Sequence, residues 1–195
     1  MATPLPVPVL LIGSSADFGL SKIQSVLQHL GYQPDMLLYA EHIRSAQDRI
    51  IEHLPNLILY LVNQASELHA IPQIKQYSHS TPVVVLLHAD TPALIYTAIL
   101  CGANSYMQQP DSLLQFSESL KIVLRGGAYI HAELAGYILQ QLSDKTCLNV
   151  TELQLLQLFS QQKMPAEIQH QLQLPDYQLY AKVKQIYQKL LMSSD

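Results

Sequence analysis

Three short apolar runs, each bounded by proline or glycine, constrain the fold of this chain more than any other feature. They are residues 7–12 (VPVLLI), 57–62 (LILYLV) and 83–87 (VVVLL). Runs of this length, rich in Val, Ile and Leu and without polar alternation, are typical of strands that are buried on both faces. Residues 35–39 and 104–107 predict two weaker strands.

Amphipathic helical patterns separate these strands. Helical spacing of apolar residues predicts five helices. The first ends at Gly31, the next three cover residues 41–53, 71–77 and 91–101, and the fifth covers 111–124 and ends before Gly126 and Gly127. Five strands that alternate with five helices predict an α/β fold with a doubly wound, five-stranded parallel sheet. A working site in such a sheet lies at the carboxyl ends of the strands.

The last third of the chain has a different pattern. Residues 129–142 predict one helix, and a polar connection (SDKT, residues 143–146) follows it. Beyond this, Leu155, Leu156 and Phe159 predict one helix, and Ile168 and Leu172 predict a short second one. A final amphipathic stripe then predicts a long third helix, and it consists of Leu179, Val183, Ile186 and Leu190. This order predicts an all-α helix-turn-helix module.

Composition excludes several classes of protein. Charged residues make up 13% of the chain and hydrophobic residues 49%, which argues against disorder. The net charge of −4 argues against a polyanion partner for the whole surface. No apolar run approaches the ~18 residues of a membrane span, and Cys101 and Cys147 predict neither a disulfide framework nor a metal site. We therefore expect a cytoplasmic protein without membrane contact.

The order and spacing of these segments resemble a bacterial response regulator of the LuxR/FixJ (NarL-type) family. The resemblance rests on GANSYMQQP (residues 102–110), on LRGGAYIHAELAGYIL (124–139) and on the helical segment 148–191. It implies a degenerate receiver domain over residues 1–127, a helical linker over 128–147 and a LuxR-type helix-turn-helix domain over 148–195. The family acts in two-component signalling and transcription regulation.

The residues that would carry phosphoryl transfer do not match the family. A working receiver holds Mg²⁺ with an acidic pair and transfers the phosphoryl group to an aspartate, aided by a hydroxyl residue and a lysine. The resemblance places Ser14 and Ser15 at the acidic pair, Leu61 at the acceptor, Leu87 at the hydroxyl position and Gln109 at the lysine. Tyr106 matches the aromatic switch position. We therefore expect an atypical pseudo-receiver that does not take up a phosphoryl group.

Two interpretations of the altered site remain open. In the first, the fold is a dimerisation and docking scaffold, and Leu61 and Leu87 fill the former ion site. In the second, the pocket binds another ligand, since Gly13, Ser14 and Ser15 precede a helix whose first backbone amides favour anions. The hydroxyl groups of these serines also suit helix capping.

The final helix carries the candidate DNA-binding residues. By position, the resemblance places Tyr177, Tyr180, Ala181 and Lys184 on the face opposite the apolar stripe, with Lys182 at a phosphate-contact position. Pro175 and Asp176 replace the usual Ser/Thr cap and the residue that follows it. Residues 148–195 contain four lysines and four acidic residues, so the module is neutral and its lysines also fit a solvated helix face.

Three functions follow from these observations. The main hypothesis is a phosphorylation-independent transcriptional regulator that binds DNA as a homodimer, under the control of abundance, a regulatory protein partner or a ligand. The first alternative is a protein–protein interaction adaptor that has lost DNA binding, and the second is a ligand-sensing pseudo-receiver. The scattered histidines, together with Cys101, form no enzyme constellation, so we expect no catalytic residues, no cofactor and no metal.

Overall fold

The computed structural model describes residues 7–13, 20–87, 91–108, 113–142 and 148–193. Within these ranges the side chains of Gln108, Asp176 and Tyr177 are not described. The predicted polar connection at residues 143–146 also lies outside the described residues.

Five parallel strands form one sheet in the order β2-β1-β3-β4-β5. The strands are β1 (Val9–Ile12), β2 (Leu37–Ala40), β3 (Leu57–Val62), β4 (Val83–Leu87) and β5 (Ser105–Gln108). Every residue of β1, β3 and β4 is buried, as their continuous apolar runs predict. The predicted doubly wound parallel sheet is therefore confirmed.

Helices cover both faces of this sheet and divide the core into two apolar clusters. The helices of this half are α1 (Leu20–His29), α2 (Ile43–His53), α3 (Ala70–Tyr77), α4 (Pro92–Leu100) and α5 (Leu113–Leu124). Buried residues of α1 and α5 pack on one face, and those of α2, α3 and α4 pack on the other. We call β1 to α5 the receiver-like unit.

Four further helices complete the described chain. They are α6 (Ala132–Gln141), α7 (Val150–Ser160), α8 (Pro165–Leu172) and α9 (Asp176–Met192). The predicted stripe of α9 is buried, since Leu179, Val183 and Ile186 are 0% exposed and Leu190 is 2% exposed. We call α7 to α9 the helix-turn-helix unit. No helix in the described residues is long and apolar enough to cross a membrane.

Most predicted element boundaries differ from the structure by one to three residues, and two of these differences have a clear local cause. The strand expected at 35–39 begins at Leu37, because Pro34–Met36 forms a 3₁₀ turn with proline in its first turn. The helix expected at 129–142 begins at Ala132, because Tyr129 lies in an extended segment. The backbone N–H of Tyr129 donates to Ser105 Oγ at 3.2 Å, and Ile130 is buried.

Candidate functional site

The carboxyl ends of the strands, where the resemblance predicts a degenerate phosphorylation site, carry two buried leucines. Leu61 is 4% exposed and Leu87 is 0% exposed. A Cβ atom built on Gly13 would lie 2.5 Å from Leu61 Cβ, so the Leu61 side chain lies directly on the Gly13 backbone. Gly13 also has φ +139°, which only glycine adopts readily. Ser14, Ser15 and Gln109 lie outside the described residues.

Leu61 and Leu87 lie on opposite faces of the sheet. Leu61 pairs in register with Leu86 and shares the apolar cluster of α1 and α5. Leu87 pairs with Val62 and belongs to the cluster that α2, α3 and α4 cover. The two leucines therefore do not fill one volume together, and Leu61 alone covers Gly13.

Tyr106, which the resemblance places at the aromatic switch position, is 2% exposed. Its hydroxyl group hydrogen-bonds with Nδ1 of His131 and accepts a hydrogen bond from the His131 backbone N–H at 3.1 Å. His131 is the N-cap residue of α6, so β5 is connected directly to the start of that helix. The ring of Tyr106 also packs at a tilt against Tyr129, with centroids 5.8 Å apart.

The candidate DNA-binding helix α9 packs against α4 of the receiver-like unit and against the segment that follows α5. Tyr180 and Lys184 are both partly buried, and the Tyr180 backbone oxygen accepts a hydrogen bond from the Ala128 N–H at 3.0 Å. A Cβ atom built on Gly127 would lie 2.8 Å from Tyr180 Cβ. The chain therefore approaches α9 more closely at Gly127 than any other residue would allow.

Three tyrosines form the centre of this contact. The hydroxyl group of Tyr187 donates to the Tyr129 backbone oxygen at 2.7 Å, and Tyr187 is 2% exposed. Burial raises the pKa of Tyr129, of Tyr180 and of Tyr187, and the neighbouring Tyr129 raises the pKa of the other two further. A phenol that is buried among other phenols loses the water that would stabilise its anion.

The remaining residues that were predicted to contact DNA differ in their exposure and in what they border. Ala181 and Lys182 are partly exposed on α9, whereas Lys184 borders a cavity against the receiver-like unit. The side chain of Tyr177 lies outside the described residues. The helix begins without a side-chain cap at Pro175, as the replacement of Ser/Thr predicts.

The helix-turn-helix unit is held together by a buried carboxylate. Glu152 is 2% exposed and forms a reciprocal capping box with Asn149, with N···O distances of 2.8 and 2.9 Å. Its Oε2 also lies 2.8 Å from Lys189 Nζ. Lys189 therefore fixes α9 to α7, which leaves Lys182 and Lys184 as the lysines of α9 without an ion pair to a described residue.

Sequence reasoning missed the residues that connect the two units. Gly126 and Gly127 are adjacent in the sequence, and this Gly-Gly dipeptide predicted only the end of a helix. Gly126 has φ +85° and ends α5, whereas Gly127 is not left-handed and is needed for its small size. A helix stop requires only one glycine. The presence of a second glycine, Gly127, was therefore the available sequence signal for the close contact with α9.

Comparison with solved structures finds response regulators at low sequence identity. A LuxR-family two-component response regulator from Aurantimonas sp. SI85-9A1 has TM-score 0.58 and 14% identity, and the match covers 69% of this chain and 96% of that one. The RcsB response regulator of Salmonella typhimurium has TM-score 0.56 and 14% identity, over 97% of this chain and 93% of that one. A structure of an RcsB–DNA complex has TM-score 0.53 and 14% identity, over 94% and 92%.

Sequence comparison adds nothing to this likeness, since no family model and no curated protein matches the chain. The structural likeness extends over both units, because the RcsB match covers nearly the whole of each chain. The chain therefore has the fold of LuxR-family response regulators, with a receiver-like unit followed by a helix-turn-helix unit.

Proposed function

We propose that this chain is an atypical response regulator that binds DNA through α9 and does not depend on phosphorylation. The observation that carries the proposal is the position of Leu61 in a fold that otherwise matches full-length response regulators. A buried leucine on Gly13 offers no nucleophile. Among the described residues, no group of three or more His, Cys, Asp or Glu side chains that could hold a metal ion is found at this edge. The proposal places the protein in the cytoplasm as a non-enzymatic homodimer, and it keeps the predicted domain boundaries at residues 127 and 147.

DNA binding requires that α9 separates from the receiver-like unit and from residues 127–129, which follow α5. Lys184 borders the cavity against that unit, and the Tyr180 backbone oxygen is held by the Ala128 N–H. Lys182 is partly exposed and forms no ion pair with a described residue. Separation breaks the Ala128–Tyr180 and Tyr187–Tyr129 hydrogen bonds, which together stabilise the closed arrangement by about 1–3 kcal/mol. A signal that supplies this free energy would act in place of phosphorylation.

A fluorescence titration with DNA selected from a genomic pool tests the proposal. We expect binding that weakens with salt, and Lys182→Ala should weaken it across all sequences and reduce the salt slope by about one ion. Lys121→Ala is the matched control, because Lys121 is on α5, where it pairs with Glu118 at 2.6 Å. Binding that is undetectable at low salt, or equal losses for both variants, would contradict the proposal.

Phosphorylation independence has its own test. Incubation with a small phosphoryl donor and Mg²⁺ should leave the mass of the intact protein unchanged and its DNA affinity unaltered. The appearance of an acid-stable or acid-labile phosphoryl adduct would show that a residue other than Leu61 accepts the group.

An adaptor that no longer binds DNA is the second candidate, and the packing of α9 favours it. Tyr180 is fixed by a main-chain hydrogen bond and is partly buried, so the helix face would serve the contact between the two units instead of DNA. This alternative predicts a defined protein partner in pull-down experiments. It also predicts full function in a variant with both Lys182→Ala and Lys184→Ala.

A further inference from the structure

A cavity of about 300 Å³ lies between α9 and the amino ends of three strands, opposite the former phosphorylation site. Its polar lining comes from Asn56, which precedes β3, from Ser80, which precedes β4, and from Asn104, which precedes β5. Lys184 of α9 completes the lining. We call this space the amino-edge cavity.

The polar groups of the amino-edge cavity are arranged as donors. Asn104 Oδ1 accepts hydrogen bonds from Lys75 Nζ at 2.6 Å and from the Val83 N–H at 2.8 Å, so its amide nitrogen is left to donate. Asn56 Oδ1 accepts from the Tyr32 hydroxyl group at 3.2 Å, which orients Asn56 in the same way. No carboxylate is among the described residues that line the cavity.

Two lysines give this cavity a positive charge. Lys184 borders it directly, and Lys75 lies behind Asn104, to which it donates a hydrogen bond. Burial lowers the pKa of Lys75 from its ordinary 10.5 to about 8, and the charge of Lys184 lowers it further, which shows that the two ammonium groups are close. Neither lysine forms an ion pair with a described carboxylate.

The carboxyl end of α5 also borders the cavity, and its exposed carbonyl groups would oppose an anion. The turn at Gly126 and Gly127 removes this obstacle, because Gly126 N–H donates to Val123 O and Gly127 N–H donates to Ile122 O. The α5 residues that line the cavity are Val123 and Leu124, which are apolar.

From this geometry we propose that the amino-edge cavity binds a small phosphomonoester and thereby connects α9 to the receiver-like unit. The phosphoryl oxygens accept hydrogen bonds from Lys184, Asn104, Asn56 and Ser80, and the charge of Lys75 contributes from behind. The apolar wall of Val123 and Leu124 holds the organic part of the ligand. A phosphoryl group suits the site better than a carboxylate, since the donors approach from several directions.

Calorimetric titration of the full chain with AMP, with inorganic phosphate and with adenosine tests the site. We expect one equivalent of AMP to bind, inorganic phosphate to compete with it and adenosine to show no binding. Lys184→Gln should weaken AMP binding by about tenfold or more, as expected for the loss of a hydrogen bond from a charged donor. Lys182→Gln is the matched control, because it removes the same charge from α9 two residues away, and its AMP affinity should equal that of the wild type.

Several outcomes would overturn the site. These are no heat of binding at millimolar AMP or phosphate, equal binding of adenosine, or equal losses for the two lysine variants. An unfolded Lys184→Gln protein would be recognised by circular dichroism, and Ser80→Ala then serves as the second variant, with a smaller loss of affinity expected from an exposed hydroxyl group.

One consequence rests on the proposed function. A ligand that connects α9 to the receiver-like unit stabilises the closed arrangement, so AMP should weaken DNA binding by the wild type but not by Lys184→Gln. The calorimetry contains no DNA, so the cavity and the DNA-binding proposal can fail separately. AMP binding that leaves DNA affinity unchanged would refute this coupling.

Discussion

Replacement of Gly127 by alanine is the sharpest perturbation of the contact between α9 and the receiver-like unit. The new Cβ would lie 2.8 Å from Tyr180 Cβ, 3.0 Å from Ile122 Cγ2 and 3.2 Å from the Ile122 backbone oxygen. Real Cβ atoms avoid distances below 3.0 Å, and ordinary contact begins at 3.4 Å. Tyr180 Cβ is fixed to the helix backbone, so α9 itself must move.

The cost of this overpacking can be set against the benefit of alanine. Forcing a methyl group into a packed contact costs about 1–3 kcal/mol. Gly127 is not left-handed, so alanine fits its backbone and restricts the unfolded chain, which returns about 0.4–1 kcal/mol. We therefore expect Gly127→Ala to lower the free energy of unfolding by up to about 2.5 kcal/mol.

Gly136→Ala is the matched control for this experiment. Its Cβ would lie 3.8 Å from Ser160 Cβ, which is ordinary contact, and Gly136 lies inside α6. Alanine there should raise the free energy of unfolding by about 0.5–1 kcal/mol. The two Gly→Ala variants should thus shift stability in opposite directions.

Two assays read out the effect. Denaturant unfolding gives the free energy, and hydrogen exchange reports the Ala128 amide, which donates to Tyr180 O at 3.0 Å. In Gly127→Ala this amide should exchange faster, and under the proposed function DNA affinity should rise. A variant as stable as Gly136→Ala, with the Ala128 amide fully protected, would refute the close approach of α9.

Three further predictions follow from individual side chains. Leu61→Asp should destabilise the fold by about 3–5 kcal/mol, since it places an uncompensated charge on the Gly13 backbone, and thermal unfolding checks this loss. The same variant should not restore phosphorylation, which mass spectrometry checks. Glu152→Ala should cost about 1–3 kcal/mol, because the Asn149 backbone N–H and Lys189 both lose their carboxylate partner, whereas the Asn149 side chain still caps α7; the same loss in a Lys189→Ala variant alone would show that the bond from the Asn149 N–H contributes nothing. The folded-state pKa of Lys75 is about 8, below its ordinary 10.5, so the unfolded state binds more protons above pH 8. Between pH 7.5 and 9 the free energy of unfolding should therefore rise with pH in the wild type, and Lys75→Met should lose this rise.

Much of the sheet could be predicted from local pattern. Strands β3 and β4 match the predicted runs at both ends, because proline and asparagine or threonine precede each run and the apolar residues are continuous. The apolar stripe of α9 was also predicted residue by residue. Such features depend on neighbours within one turn or one strand, which the sequence displays directly.

The contact between the two units could not be predicted in this way. Tyr129 looked helical because an apolar pattern continues through it, yet its backbone bonds to Ser105 in a distant strand. Gly127 and Tyr180 are far apart in the sequence, and nothing local marks them as partners. The prediction that Tyr180 contacts DNA rested only on its position in the helix. That position does not indicate which face of the helix the first half of the chain covers.

The hydrogen bond from the Ala128 N–H to the Tyr180 oxygen joins two main-chain groups. Substitution of either side chain leaves both groups in place, so an alanine scan of α9 would pass over one of the contacts that hold the helix. A comparison of related sequences would miss it for the same reason, because the bond imposes no residue type at position 128 or 180. Backbone chemistry, such as replacement of the Ala128 amide by an ester, is the means of detecting it.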